Sequence, residues 1–138
     1  MILMCLLLTS TTLKASGKLP QGTWTVQQVT IEKTVDENTQ ITVYQTPNDL
    51  QSYYSCPAEW IINAQGLVIH YPNGYEEIAK YSFAGNQLTI FGKVAKQMYL
   101  CSVSEENLIL TTTYNYLNNL LTEKVEQISE KWTIVFKK

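Results

Sequence analysis

The sequence predicts an all-β domain, an up-and-down antiparallel barrel of about eight strands, from three observations. β-branched and aromatic residues recur in short runs that alternate with period two, turn signals separate most of those runs, and no long amphipathic helix stands between them. A parallel sheet would need such helices as crossovers. A closed barrel buries its own strand edges, while a two-sheet sandwich fits the same periodicity and is the alternative.

The first run, Thr23 to Ile31, changes its apolar phase from Trp24 and Val26 to Val29 and Ile31 across Gln27-Gln28. A slip of one residue marks a bulge or a sharp bend. Ile41 to Gln45 alternates with Ile41 and Val43 on one face and stops at Thr46-Pro47-Asn48-Asp49. Glu59 to Asn63, Leu67 to Tyr71 and Tyr75 to Phe83 follow, separated by Ala64-Gln65-Gly66 and by Pro72-Asn73-Gly74. Asn-Gly between alternating runs is a strong hairpin signal. Ala84-Gly85-Asn86 turns the chain into Gln87 to Phe91, Gly92 breaks that run, and Val94 to Val103 comes next. Ser104-Glu105-Glu106-Asn107 leads into Leu108 to Tyr114. In the last segment Leu117, Leu121, Val125 and Ile128 are spaced as on a helix, whereas Ile128, Trp132, Ile134 and Phe136 share a strand face. The β-prone run Trp132 to Phe136 decides for a strand over Glu123 to Phe136.

At 138 residues, 45% apolar and 16% charged, the chain is one domain. All ten basic residues are Lys, dispersed along a chain of net charge −2, which argues against nucleic acid as a partner. Ile2 to Leu8 is an unbroken apolar run, too short to span a bilayer, and Ala15 offers a small residue for cleavage. Residues 1–15 are therefore read as a signal peptide, 16–21 as a linker and 22–138 as the barrel, with a buried N-terminal strand as the alternative for the apolar run. The expected location is secreted or periplasmic, without a transmembrane segment. Acylation at Cys5, anchoring the protein to the cell envelope, is the second option. Export leaves the even pair Cys56 and Cys101, read as a disulfide worth about 4 kcal/mol, or else as two buried thiols.

Leu19-Pro20-Gln21-Gly22-Thr23-Trp24 resembles the Gly-x-Trp opening of lipocalins, and more closely that of bacterial lipocalin-like domains of secreted proteins. Cys56 before a strand, the segment Tyr81 to Ile90, Leu108-Ile109-Leu110-Thr111 and the closing Glu130-Lys131-Trp132-Thr133-Ile134 are similar to the same pattern. The resemblance implies a barrel plugged at one end by Trp24. It also implies a cation lying across that ring; with no Arg in the chain, Lys131 or Lys137 takes this place.

No catalytic constellation stands out. Glu76 and Glu77 are adjacent and point to opposite faces of a strand, so they cannot act as an acid/base pair. Glu105-Glu106 falls in a turn. The single histidine, His70, lies on the face opposite Leu67, Ile69 and Tyr71, with no nucleophile motif near it. No Gly-rich phosphate loop and no Cys/His metal cluster occurs, so neither enzyme activity, cofactor nor metal is expected.

Two function classes follow. One is a carrier or sensor holding a small apolar or amphipathic molecule inside the barrel. The other is an interaction or structural protein whose barrel is filled by its own side chains, with a protein partner docking on loops and outer surface. Tyr53 and Tyr54, between two breakers, form a surface loop or a lid over the mouth. For the carrier, the inward phase supplies Tyr71, Tyr75, Glu77, Tyr81 and Tyr114 as ligand-binding residues. Buried tyrosines need polar partners, which suits an amphipathic ligand. Glu77, if inside, repels a carboxylate and attracts a cationic or hydroxyl group; if it lies at the strand's solvent end, the tyrosines merely pack the rim.

Overall fold

Alternation of apolar and polar residues dictates nearly every strand. The computed structural model describes residues 17–45, 56–93, 95–118 and 125–138. In chain order the strands are β1 (Gly22–Val35), β2 (Asn38–Tyr44), β3 (Glu59–Ile62), β4 (Leu67–His70), β5 (Glu76–Ala84), β6 (Gln87–Phe91), β7 (Lys96–Val103), β8 (Asn107–Asn118) and β9 (Glu126–Lys137). They pair antiparallel in the order β2-β1-β3-β4-β5-β6-β7-β8-β9, and β1 also pairs with β9. Every strand but β2 therefore belongs to a closed eight-stranded barrel that the chain traces up and down. The β1–β9 pairing joins first strand to last, which a two-sheet sandwich lacks.

The phase change at Gln27-Gln28 is a bulge: Val26 faces Phe136 and the next register pair is Gln28 with Val135. It sits where β1 changes partners on its other edge, from β3 (Gly22 to Thr25) to β2 (Val29 to Val35). A bulge bends a strand, which suits that handover. The turn into β2 is made at Asp36, whose φ of 56° is in the left-handed region that Asp tolerates better than most residues.

Cross-strand register fills the interior. Trp24 faces Trp60, Ile62 faces Leu67, Phe83 faces Leu88, Leu108 faces Phe136 and Leu110 faces Ile134. Trp24, Val29, Leu88, Leu108, Leu110 and Phe136 expose nothing to solvent. Burial of each such side chain stabilises by about 1.5–3 kcal/mol at most. The Trp60 ring lies tilted against Phe136, centroids 4.8 Å apart. Among the described residues, no polar or charged side chain belongs to this core.

The disulfide expected between Cys56 and Cys101 is not formed; both are free, buried thiols. Cys101 faces Leu110 inside β7, and Cys56 sits in the segment before β3 with its thiol 3.7 Å from the Pro57 carbonyl. Each is packed separately as a small apolar group, and burial pushes each thiol up to about 12.

Beyond the barrel, β1, β8 and β9 run on together with β2. β7 pairs with β8 only as far as Leu100 with Thr111, so Thr112 to Asn118 has β9 on one side alone. The result is a four-stranded extension, β2-β1-β9-β8, whose two edges are β2 and the second half of β8. Ile41 and Leu117 on these edges are each 60% exposed.

Candidate functional site

The two ends of the barrel are finished differently. At one end the chain seals itself. The Gly17 N–H donates to the Phe83 carbonyl at 2.7 Å, and Leu19 is buried. Of the stretch 16–21 read as a linker, the described residues 17–21 thus run against the strands. The Leu19 N–H donates to the Tyr81 hydroxyl at 3.1 Å, and the Trp24 indole N–H donates to the Pro20 carbonyl at 3.1 Å. The cation over Trp24 is neither Lys131 nor Lys137 but Lys138, its Nζ 5.7 Å from the ring centroid. Alternation explains the difference. Phe136 points inward, so Lys137 points out, and Lys131 pairs with Glu32 on the outer face at 3.9 Å.

At the other end a pocket of about 220 Å³ opens. Its walls come from β4 and β5 and the turn between them, with Ile69, Tyr71, Tyr75 and Glu77. The opposite wall is β6, β7 and their turn, with Ile90, Gly92, Lys93, Ala95 and Gln97. The sequence builds the first wall by a tight turn. Tyr71 N–H donates to the Tyr75 carbonyl (2.9 Å), Gly74 N–H to the Tyr71 carbonyl (3.0 Å) and Tyr75 N–H to Asn73 Oδ1 (3.0 Å). Gly74 takes φ 87°, which a side chain would strain. The turn sets the Tyr71 and Tyr75 rings 5.7 Å apart, tilted by 36°.

Glu77 is on the inner face, opposite Ile69, and half-buried. Its Oε2 accepts from the Tyr71 hydroxyl at 3.2 Å and its Oε1 from the Lys93 backbone N–H at 2.9 Å. The second contact needs Gly92: a Cβ there would stand 2.8 Å from Glu77 Oε1 and 2.9 Å from the Ala95 carbonyl. Burial, the neighbouring Glu77 charge and the hydrogen bond to Glu77 push the Tyr71 phenol up to about 12. Tyr71 is therefore a neutral donor across the physiological range. Deeper on the same face, Tyr99 is buried and donates to Gln97 Oε1 at 2.7 Å, and burial raises its phenol further still.

Of the five residues expected to bind ligand, Tyr71, Tyr75 and Glu77 come together here. Tyr81 shares their face but is engaged with Leu19 at the sealed end. Tyr114 belongs to the extension, edge-on to Trp132 with centroids 6.4 Å apart. Tyr53 and Tyr54 lie outside the described residues, as do Cys5 and residues 1–15. Sequence reading missed Gln97 and Tyr99, although alternation through Tyr99, Cys101 and Val103 marks their face, and it missed the Gly92-Lys93 contact.

His70 lies on the outer face between two carboxylates, Nδ1 3.4 Å from Glu59 Oε1 and Nε2 2.9 Å from Glu76 Oε2. The sheet separates it from Glu77, as adjacent strand positions require. Among the described residues no group of three or more His, Cys, Asp or Glu is arranged to hold a metal, and no helix is long and apolar enough to cross a membrane.

Comparison with protein-family models, with curated proteins and with solved structures found no match. The class rests on the fold and the site: a closed antiparallel β-barrel with residues 17–24 packed across one end, where a recess of about 200 Å³ lies between Gly17, Lys18, the β3–β4 turn and Tyr81, and with the pocket holding Tyr71, Tyr75 and Glu77 at the other.

Proposed function

We propose that this is a non-enzymatic, exported, lipocalin-like carrier or sensor that takes a small amphipathic molecule at the open end of its barrel. One observation carries the reading. Two tyrosines and a carboxylate, drawn from the inward phase of β4, β5 and their turn, converge on one pocket with Ile69 and Ile90 beside them. Apolar walls with a few convergent polar groups are the usual composition of a ligand site. The volume, about 220 Å³, is below the roughly 300 Å³ at which drug-sized sites begin, so the ligand is small. The sealed end supports the reading, because one entrance suffices for a carrier. The experiment is extraction of the purified protein with organic solvent followed by mass spectrometry, alongside calorimetric titration with small amphipathic compounds. A stoichiometric co-purified molecule, or saturable binding abolished by Tyr71→Ala together with Tyr75→Ala, supports the carrier. No bound molecule and no binding up to millimolar concentration removes it. Export is tested separately, by N-terminal sequencing of the mature protein; an intact Met1 in a cytosolic fraction contradicts it.

A second reading, an interaction protein with a filled barrel, is favoured by the extension. β2 (Asn38 to Tyr44) and the free half of β8 (Thr112 to Asn118) carry no charged residue, while the strands between them hold Glu32, Lys33, Glu126, Glu130 and Lys131. Edge strands ordinarily carry charge against pairing, so uncharged edges suit strand addition by a protein partner. Loss of partner binding in Ile41→Lys with Leu117→Lys, with the mouth intact, supports this reading over the carrier.

A further inference from the structure

We infer that the mouth selects a small organic cation: an amine bearing one short apolar or aromatic group. This rests on the carrier reading and adds the head-group charge to it. Both Glu77 oxygens already accept hydrogen bonds, but from neutral donors, the Tyr71 hydroxyl and the Lys93 backbone N–H. Those contacts orient the carboxylate without cancelling its charge. The ion pairs among the described residues join His70 to Glu59 and Glu76, and Lys131 to Glu32; none involves Glu77. Lys93 also lines the pocket, but its side chain is exposed and, among the described residues, it makes no ion pair with Glu77. A half-buried negative charge beside apolar walls is costly unless an opposite charge meets it.

The rest of the pocket fits the same head group. An ionised carboxylate offers about four lone-pair sites, and two are taken, which leaves acceptor capacity for an ammonium. The Tyr71 and Tyr75 rings, 5.7 Å apart and tilted by 36°, form a corner beside it. Aromatic faces attract cations, most strongly where water is partly excluded. Ile69 and Ile90 receive the apolar group, and 220 Å³ limits its size. A carboxylate ligand is repelled by Glu77, and an alcohol uses the hydrogen bond but not the charge.

The test uses three compounds that share a phenyl ring and differ in head group: 2-phenylethylamine, 2-phenylethanol and phenylacetate. Each is titrated into the whole protein at pH 7 by calorimetry, with amide chemical shifts of Gly92, Lys93 and Tyr75 as the site reporter. The expected order is amine, then alcohol weaker by about tenfold, then no measurable phenylacetate. Glu77→Gln removes the tenfold preference while the alcohol still binds, and Tyr75→Leu lowers amine affinity about fivefold at an exposed position that folding tolerates. Alcohol or phenylacetate binding as tightly as the amine, with shifts at the same amides, overturns the cation class and leaves the carrier standing. Amide shifts from none of the three overturn both.

Discussion

Each end of the barrel uses a tyrosine hydroxyl, and the two uses differ in kind. At the sealed end Tyr81 accepts from Leu19, so the chain closes on itself and the apolar Leu19 and Trp24 fill the space. At the mouth Tyr71 donates to a carboxylate that faces a pocket. One hydroxyl ties the Leu19 backbone to a side chain of β5; the other aims a charge. The contrast divides the molecule into an end closed by its own chain and an end where polar groups stand over the buried Ile69 and Ile90.

Substitutions on either side of that division differ in what they cost. The largest expected effect is in the core. Phe136→Ala removes a fully buried ring packed against Trp60 and costs about 3–5 kcal/mol, read from urea unfolding. Leu19→Ala, which uncovers the end of the barrel, costs about 2–3 kcal/mol in the same measurement, whereas a passive linker would cost nothing. Alkaline pH gives a smaller effect. Cys56 and Cys101 titrate near 9.0 when unfolded and near 12 when folded, so the unfolded chain releases its protons first. Stability is complete below about pH 9 and falls as pH rises toward 12, by on the order of 1 kcal/mol per thiol at pH 10. The same thiols react slowly with a disulfide reagent in native protein and rapidly in urea; a bridged pair would release no thiol in either state. The smallest effect is at the mouth. Glu77→Gln changes stability by no more than about 0.5 kcal/mol while changing ligand preference. A loss as large as that of Phe136→Ala would make Glu77 a structural residue and erase the comparison.

Much of the strand pattern was legible because alternation is a local signal. The bulge at Gln27-Gln28, the turns at Pro72-Asn73-Gly74 and Ala84-Gly85-Asn86, and the β-prone end from Trp132 to Phe136 all announce themselves within a few residues. The β1–β2 hairpin was not legible, since its turn uses Asp36-Glu37 without glycine, and Ile41 to Gln45 was seen without its first residues. Alternation also fixes the face of a residue but not its height along the barrel. Tyr81 and Tyr114 share the inward phase of Tyr71 and Tyr75, yet one reaches the end closed by Leu19 and the other the extension. The Lys138 contact with Trp24 and the separate packing of Cys56 and Cys101 depend on closure of the barrel, which no local spacing encodes.

The proposed function requires ligand to enter at the mouth and not at the other end of the barrel or on the extension. The most direct measurement is an amide chemical-shift map of the uniformly labelled protein titrated with a mixed set of small amphipathic amines, alcohols and acids. Shifts should concentrate at Ile69 to Glu77 and at Phe91 to Gln97, leaving Gly17 to Trp24 and Asn107 to Asn118 unmoved. Shifts confined to the sealed end or to the extension, or no shift with any compound at millimolar concentration, would contradict it.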